Sequence, residues 1–368
     1  MRILHVHSGN RYGGVESVLR VMARGYGAPV ESVFALSFDG RLAEEIRAEG
    51  AGLHIVGEAR ASRPFGVLRA RAKLSALFRQ RHFDAVMAHS AWALSLLAHG
   101  WKVPLVYYQH DVFKGHHWTE KLARHVHPDL IFANSLFSSR TTSKVFPARQ
   151  AQILHPPAAL PVESLSSHER AALRKSHSVT PANIVVLIAA RFEKCKGHGL
   201  LLDALASLRE NPLWCLWIAG EPQTTGEREL RDGLAVAAEA LGISRRVQFL
   251  GHISNVAALM QAADLYCQPN IEPESFGLTF IEAMACGLPV VTTPLGGVRE
   301  ILEPVWGLLA TPKPADVAAM IQRLLDDPPL RRRLGELGVA RAQSLCDPGA
   351  QITAMGQSIA SLLIRKAA

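Results

Sequence analysis

The stretch P-E-S-F-G-L-T-F-I-E-A-M-A-C-G, residues 273–287, places two glutamates, Glu274 and Glu282, eight residues apart around a glycine that opens an apolar run. A carboxylate among apolar neighbours is costly to desolvate unless something compensates it. These two are therefore either solvated surface residues or holders of a polar ligand. Gly277 precedes a run, Leu278 to about Ala285, that reads as a helix. The amides of Gly277, Leu278 and Thr279 then lie at a helix N-terminus, where partial positive charge favours an anion. Glu274 falls in the loop before this helix and Glu282 about one turn inside it. Such a pair can span an extended ligand, with a phosphate near the amides and a hydroxyl-bearing group on each side.

Working outward, the chain repeats one rhythm: short apolar run, turn, amphipathic stretch. Candidate strands in the first half are 2–8, 32–38, 53–57, 84–90, 104–109, 129–134 and 151–155. The pattern restarts at 183–190 and continues through 213–219, 247–251, 264–268, 289–293 and 306–310. Strands alternating with helices imply parallel sheets covered on both faces. Between the halves, His155-Pro156-Pro157-Ala158-Ala159-Leu160-Pro161 cannot sustain a helix or a central strand and reads as a linker. The α/β fold expected is two doubly wound, Rossmann-like domains facing across a cleft, with ligands at the C-terminal ends of the strands.

Chemistry-bearing residues stand at those ends. Gly9-Asn10-Arg11-Tyr12-Gly13-Gly14-Val15-Glu16 follows the first strand. Its glycines either permit a close backbone approach to a phosphate or sugar or merely serve a turn. Gln109-His110-Asp111 ends the fifth strand. In the second half, Arg191-Phe192-Glu193-Lys194-Cys195-Lys196-Gly197 follows the first strand. Arg191 and Lys196 there suit a diphosphate, the guanidinium binding bidentately and the ammonium as a point charge.

The string Glu274 to Glu282, followed by A-M-A-C-G-L-P-V-V, resembles the E-x7-E signature of retaining glycosyltransferases of the GT-B fold, family 4. Arg191 to Gly197 is similar to that family's R-x4-K-G element. The first-strand Gly13-Gly14, the His110 strand end and Gly296-Gly297-Val298-Arg299-Glu300 fall in the same order. The resemblance covers nearly the whole chain. It implies that Glu282 binds the nucleotide ribose, that Glu274 binds the donor sugar near its 3-hydroxyl, and that Arg191 and Lys196 neutralise the departing diphosphate. It places His110 beside the donor sugar, Gly14 where the N-terminal domain closes over the phosphates, and Gly13, Phe276, Gly277, Leu278 and Thr279 on the donor. It implies domains at 1–160 (acceptor) and 161–345 (nucleotide-sugar donor), with 346–368 a helix crossing back onto the first. It also implies a front-face mechanism without cofactor or metal, a UDP-sugar as donor, and a glycan or lipid-linked acceptor. Two departures stand out: Pro269 to Glu274 is one residue longer than the family's P-S-x-x-E, and His155-Pro156-Pro157-Ala158 replaces the N-G-V-D common at the linker. Rivals on the same residues are a phosphorylase or epimerase, and a non-catalytic sugar-nucleotide-binding protein.

Composition bounds the partners. Of 368 residues, 48% are apolar and 20% charged, which fits a globular protein. No stretch approaches the roughly 20 apolar residues of a membrane span, and Met1 leads straight into a strand-like run instead of a signal peptide. Five scattered cysteines suggest reduced thiols and a cytoplasmic address. Residues 1–180 hold 23 Lys+Arg against 13 Asp+Glu, a net of +10, whereas the remainder is near neutral. Arg60, Arg63, Arg69, Arg71, Lys73, Arg79 and Arg81 fall in a stretch free of acids. From Pro64 it looks helical, with Val67, Leu68, Leu74, Leu77 and Phe78 as its apolar residues. Residues 60–81 either lie on an anionic membrane surface, peripheral on its inner face, or form a packed helix with a solvated arginine face. No nucleic-acid-binding motif accompanies the charge. His116, His117, His125 and His127 lack an H-E-x-x-H arrangement, so no metal site is expected, and Trp118 could line the acceptor side.

Overall fold

The computed structural model describes residues 1–97, 101–161 and 163–367. The chain divides into two compact units, Met1–Ala159 with Cys346–Ala368, and Leu160–Leu345. In the first unit β1 (Arg2–His7), β2 (Glu31–Leu36), β3 (Gly52–Ile55), β4 (Ala85–Ala88), β5 (Leu105–Gln109), β6 (Leu130–Ala133) and β7 (Gln152–Ile153) form a parallel sheet in the order β3-β2-β1-β4-β5-β6-β7. In the second, β8 (Ile184–Ala189), β9 (Trp214–Ala219), β10 (Val247–Gly251), β11 (Leu265–Gln268), β12 (Val290–Thr292) and β13 (Leu308–Leu309) form another, ordered β10-β9-β8-β11-β12-β13. The strand order reverses beside β1 and beside β8, the position where open α/β sheets bind ligands.

The central strands of the second unit are mostly apolar because helices cover both faces. Ile184–Ala189 and Trp214–Ala219 are buried at every residue. The strands are shorter than the apolar runs that predict them: 32–38 becomes Glu31–Leu36 and 306–310 only Leu308–Leu309. Ladder pairing stops where the backbone turns to the loops, as where the Ser37 amide bonds to the carbonyls of His7 and Ser8.

An aspartate locks the opposite, N-terminal end of each sheet. Asp84 accepts the Arg2 amide at 2.7 Å, Asp129 the Leu105 amide at 2.8 Å, and Asp264 the Val185 amide at 2.7 Å. Each precedes one strand and holds its neighbour, so these carboxylates fix register away from the ligand-binding edge. Asp264 also pairs with Arg170 and Arg174 of the helix Ser167–Ser176 at 2.7 and 2.8 Å.

The proline-rich linker begins inside the first unit. Pro156, Pro157 and Ala158 are buried, and the Ala158 amide donates to the Cys346 carbonyl at 3.0 Å. The helix Pro348–Ala367 packs on the helix Gly14–Arg24 of the same unit, burying Ile352, Met355 and Ile359. Among the described residues, no helix is long and apolar enough to cross a membrane.

Candidate active site

In the second unit, three loops at the C-terminal strand ends interlock through glycines. Gly197 has φ +75°, and a Cβ there would lie 1.9 Å from the Pro269 carbonyl oxygen. The loop after β8 is thus pressed on the loop after β11, where the Ile271 amide also donates to the Cys195 carbonyl at 2.9 Å. Gly296, at φ +76°, lies so close that a Cβ would come within 2.2 Å of the Glu274 carbonyl oxygen. The Gly297 amide donates to that same oxygen at 2.8 Å. Glycine is required at both positions because the backbones touch.

This frame brings Lys196 and Glu274 together: Nζ stands 2.5 Å from Oε2, with the side chains 20% and 17% exposed. Arg191 points to Glu193 at 2.7 Å and lies 3.8 Å from Glu227, whose other oxygen accepts the Gln223 amide. Two cations suited to a diphosphate were the expectation. Each is held by a carboxylate in this structure, because a cation without counter-charge in a partly buried site is costly. Gly277, at φ +110°, opens the helix Leu278–Ala285. Phe276 is buried, so it offers a ligand its backbone and not its ring. Leu278 and Thr279 supply first-turn amides, which have no partner four residues back within the helix. Glu282 lies half-buried one turn on, near the Tyr266 phenol, whose proton is held on by burial first and by Glu282 among lesser causes.

Beneath the loops runs a polar network absent from the sequence reading. Gln268 accepts from Tyr266 at 2.8 Å and donates to Asn270 at 2.9 Å, and Thr292 and Thr293 donate to the carbonyls of Gln268 and Asn270. Only the polar residues closing the apolar strand L-Y-C-Q could have signalled it. His198 stacks on Phe192 with both ring nitrogens buried and unpartnered, and burial, then Lys196, lowers its pKa to about 4.

In the first unit, Gly13 has extended backbone, and a Cβ on Gly14 would meet nothing within 4 Å. The chain's own packing therefore does not demand glycine at Gly14. Glu16, in the first turn of the same helix, bonds to His7 Nε2 at 2.7 Å. His110 is buried beyond β5, with Nε2 at 3.0 Å from His89 Nδ1. His7 and His89, which the sequence reading did not single out, join Glu16 and His110 in these contacts; their signal was a polar side chain at or just beyond the end of a strand.

The basic stretch forms the helix Pro64–Gln80. It buries Ala70, Leu74 and Leu77, but Leu68 is 60% exposed and so is not part of the buried face, and Phe65 is 82% exposed. Arg60 and Arg63 approach Glu58, and Arg71 and Lys73 reach the carbonyls of Ser95 and Ile55. Trp118 is half exposed and lies 5.5 Å from Trp92 between ring centroids. Among the four candidate metal histidines, His117 meets Thr119 and His116 donates to the Lys114 carbonyl.

The comparisons with known proteins agree with this architecture. The family model "Glycosyl transferases group 1" matches residues 169–340, and "Glycosyltransferase Family 4" matches residues 12–158. A D-inositol 3-phosphate glycosyltransferase of Geodermatophilus obscurus is 30% identical over 71% of this chain and 62% of its own length. A phosphatidyl-myo-inositol mannosyltransferase of Mycobacterium leprae is 37% identical over 40% of this chain and 39% of its own. The chain thus spans less than two-thirds of the length of either relative. The crystal structure of Anabaena HepE in complex with UDP and glucose superposes with TM-score 0.87 at 25% identity, covering 98% of this chain and 100% of that one.

Proposed function

We propose that the chain, whose second half matches the group 1 glycosyl transferase model and whose first half matches the family 4 model, is a glycosyltransferase that transfers a sugar, with retention, from a UDP-sugar to an acceptor hydroxyl that is lipid-linked or part of a glycolipid. The observation that carries this reading is the Lys196–Glu274 pair, set by glycine contacts beside the N-terminus of Leu278–Ala285. Glu274 accepts hydrogen bonds from the donor sugar and Glu282 from the ribose. Lys196, Arg191 and the first-turn amides of Leu278 and Thr279 take the diphosphate charge as it grows. Preorganised donors of this kind contribute about 10²- to 10³-fold each. In the step itself the anomeric carbon–phosphate oxygen bond breaks and the carbon–acceptor oxygen bond forms on the same face. The acceptor's proton passes to the departing phosphate oxygen, so no enzymic base and no metal is required.

UDP as carrier is supported by the Anabaena structure in complex with UDP and glucose. A lipid-linked acceptor, met by a peripheral protein at an anionic membrane face, is supported by the Mycobacterium leprae relative's name and by exposed Phe65, Leu68 and Trp118 among the N-terminal cations. The test is incubation with a panel of UDP-, GDP- and ADP-sugars. Slow release of UDP from one UDP-sugar, with the product anomer matching the donor, is the expected result. Tight binding without release would replace the transferase reading with that of a nucleotide-sugar sensor.

A further inference from the structure

Three buried histidines form a continuous row in the first unit, and only the last has a role so far. His5 of β1, His89 just beyond β4 and His110 just beyond β5 come from three strands adjacent in the sheet. His110 Nε2 lies 3.0 Å from His89 Nδ1, and His89 Nε2 lies 2.9 Å from His5 Nδ1. His5 Nε2 lies 3.2 Å from the hydroxyl of Ser32 on β2, the next strand over. All four side chains are buried, Ser32 most lightly at 9% exposed.

A neutral imidazole carries one donor and one acceptor nitrogen. Both nitrogens of His5 and His89 are used within the row, so the protons must all point the same way. Any single reversal would set two N–H groups, or two lone pairs, against each other. If the row points toward Ser32, His110 shows a bare Nδ1 and the serine hydroxyl proton is left without an acceptor among the described residues. If Ser32 donates to His5, every proton inside the row has an acceptor, and His110 is left with Nδ1–H facing outward. Either arrangement leaves one donor without an acceptor among the described residues, the Ser32 hydroxyl in the first and His110 Nδ1–H in the second. Only the second offers that donor to a ligand oxygen, so with the nucleotide sugar bound the cost of about 1–3 kcal/mol for an unpartnered buried donor falls on the first alone. The row is also neutral: burial lowers the pKa values of His5 and His110 to about 3 and holds His89 well below its usual value.

We propose that Ser32, His5 and His89 are positioning residues that hold His110 as the neutral Nδ1–H tautomer, a fixed uncharged hydrogen-bond donor to an oxygen of the nucleotide sugar. This rests on the reading of His110 as a residue of the donor sugar. In that tautomer Nδ1 cannot accept a proton, so His110 orients the sugar and is not the base.

The test is long-range ¹H–¹⁵N correlation on the full chain labelled at histidine. Protonated-type Nδ1 and bare-type Nε2 are expected at His5, His89 and His110, and the reverse pattern at His110 overturns the proposal. Ser32→Ala is expected to move His110 toward Nε2–H and to lower kcat about two- to tenfold, the worth of one ordinary hydrogen bond, with KM and the melting midpoint near the parent values. Ser32→Thr, which keeps the hydroxyl, should restore both readouts. Parental tautomer and kcat in Ser32→Ala would also overturn it. The spectroscopic pattern needs no turnover, so its failure is distinct from failure of the transferase reading.

Discussion

Lys196 Nζ and Glu274 Oε2 meet at 2.5 Å across 78 residues of sequence, joining the loop after β8 to the loop before Leu278–Ala285. On the proposed reading, the cation that receives the leaving diphosphate is thereby stored on the carboxylate that holds the sugar. Lys196→Met and Glu274→Gln are each expected to lower turnover about 10²- to 10³-fold. The double variant should lose less than the product of the two, because contacting groups couple. Steady-state kinetics of the four proteins check this; strict additivity would mean that the two act separately.

Glu282→Ala should weaken binding of free UDP about ten- to a hundredfold, the worth of hydrogen bonds from ribose hydroxyls to a charged acceptor. Calorimetry on the folded variant reads this directly, and unchanged affinity removes Glu282 from the site.

The glycines divide into two kinds. Gly197→Ala places a methyl 1.9 Å from the Pro269 carbonyl oxygen at φ +75°. It should cost about 2 kcal/mol or more of stability, from the left-handed backbone and the overpacking together. Gly14→Ala meets nothing within 4 Å. Denaturant unfolding should show it as stable as the parent or slightly more so, and a fall in donor turnover at unchanged stability would support the expected place of Gly14 on the donor.

Acid sensitivity follows from the buried histidines. His198 takes up its proton at about 4 in the folded chain and at about 6.5 when unfolded. Between those values the unfolded chain binds more protons, so stability falls as pH falls, by up to about 1.4 kcal/mol per pH unit for each such group. His198→Leu should therefore flatten the decline between pH 6.5 and 4 relative to the parent, while costing little at pH 7.5 because both ring nitrogens were unpartnered. Melting midpoints across that range decide; parallel curves would show that His198 is not responsible.

Membrane attachment separates into two parts. Arg63→Glu with Arg69→Glu should reduce the salt-dependent share of binding to anionic vesicles, by about 1 kcal/mol for each cation removed. Phe65→Ser with Leu68→Ser should weaken binding at every salt concentration, since buried apolar area is not screened. Co-sedimentation with anionic and neutral vesicles measures both: equal binding to the two types would leave the arginines as a solvated helix face, and no binding to either would remove the apolar contribution as well.

Much of the molecule was legible in local signals. Continuous apolar runs such as I-V-V-L-I-A mark buried parallel strands because both faces of the sheet are covered. Pro64 and Gly277 mark the starts of Pro64–Gln80 and Leu278–Ala285 because each constrains or frees the backbone where a helix begins. Glu274 and Glu282 drew notice as charges in an apolar stretch. Which apolar residues of Pro64–Gln80 are covered was not legible, because periodicity locates a face but not what covers it: Leu74 and Leu77 are buried while Leu68 is 60% exposed. What only the tertiary structure decided is partnership at long range. The Lys196–Glu274 pair depends on loops pressed together by Gly197 and Gly296. The Ser32–His5–His89–His110 row exists because β2, β1, β4 and β5 lie side by side, an order set by helix crossovers and burial across the whole sheet. Local sequence carries the propensity of each strand but not the identity of its neighbour, so a buried histidine can be seen in the sequence, while the atom that shares its proton cannot.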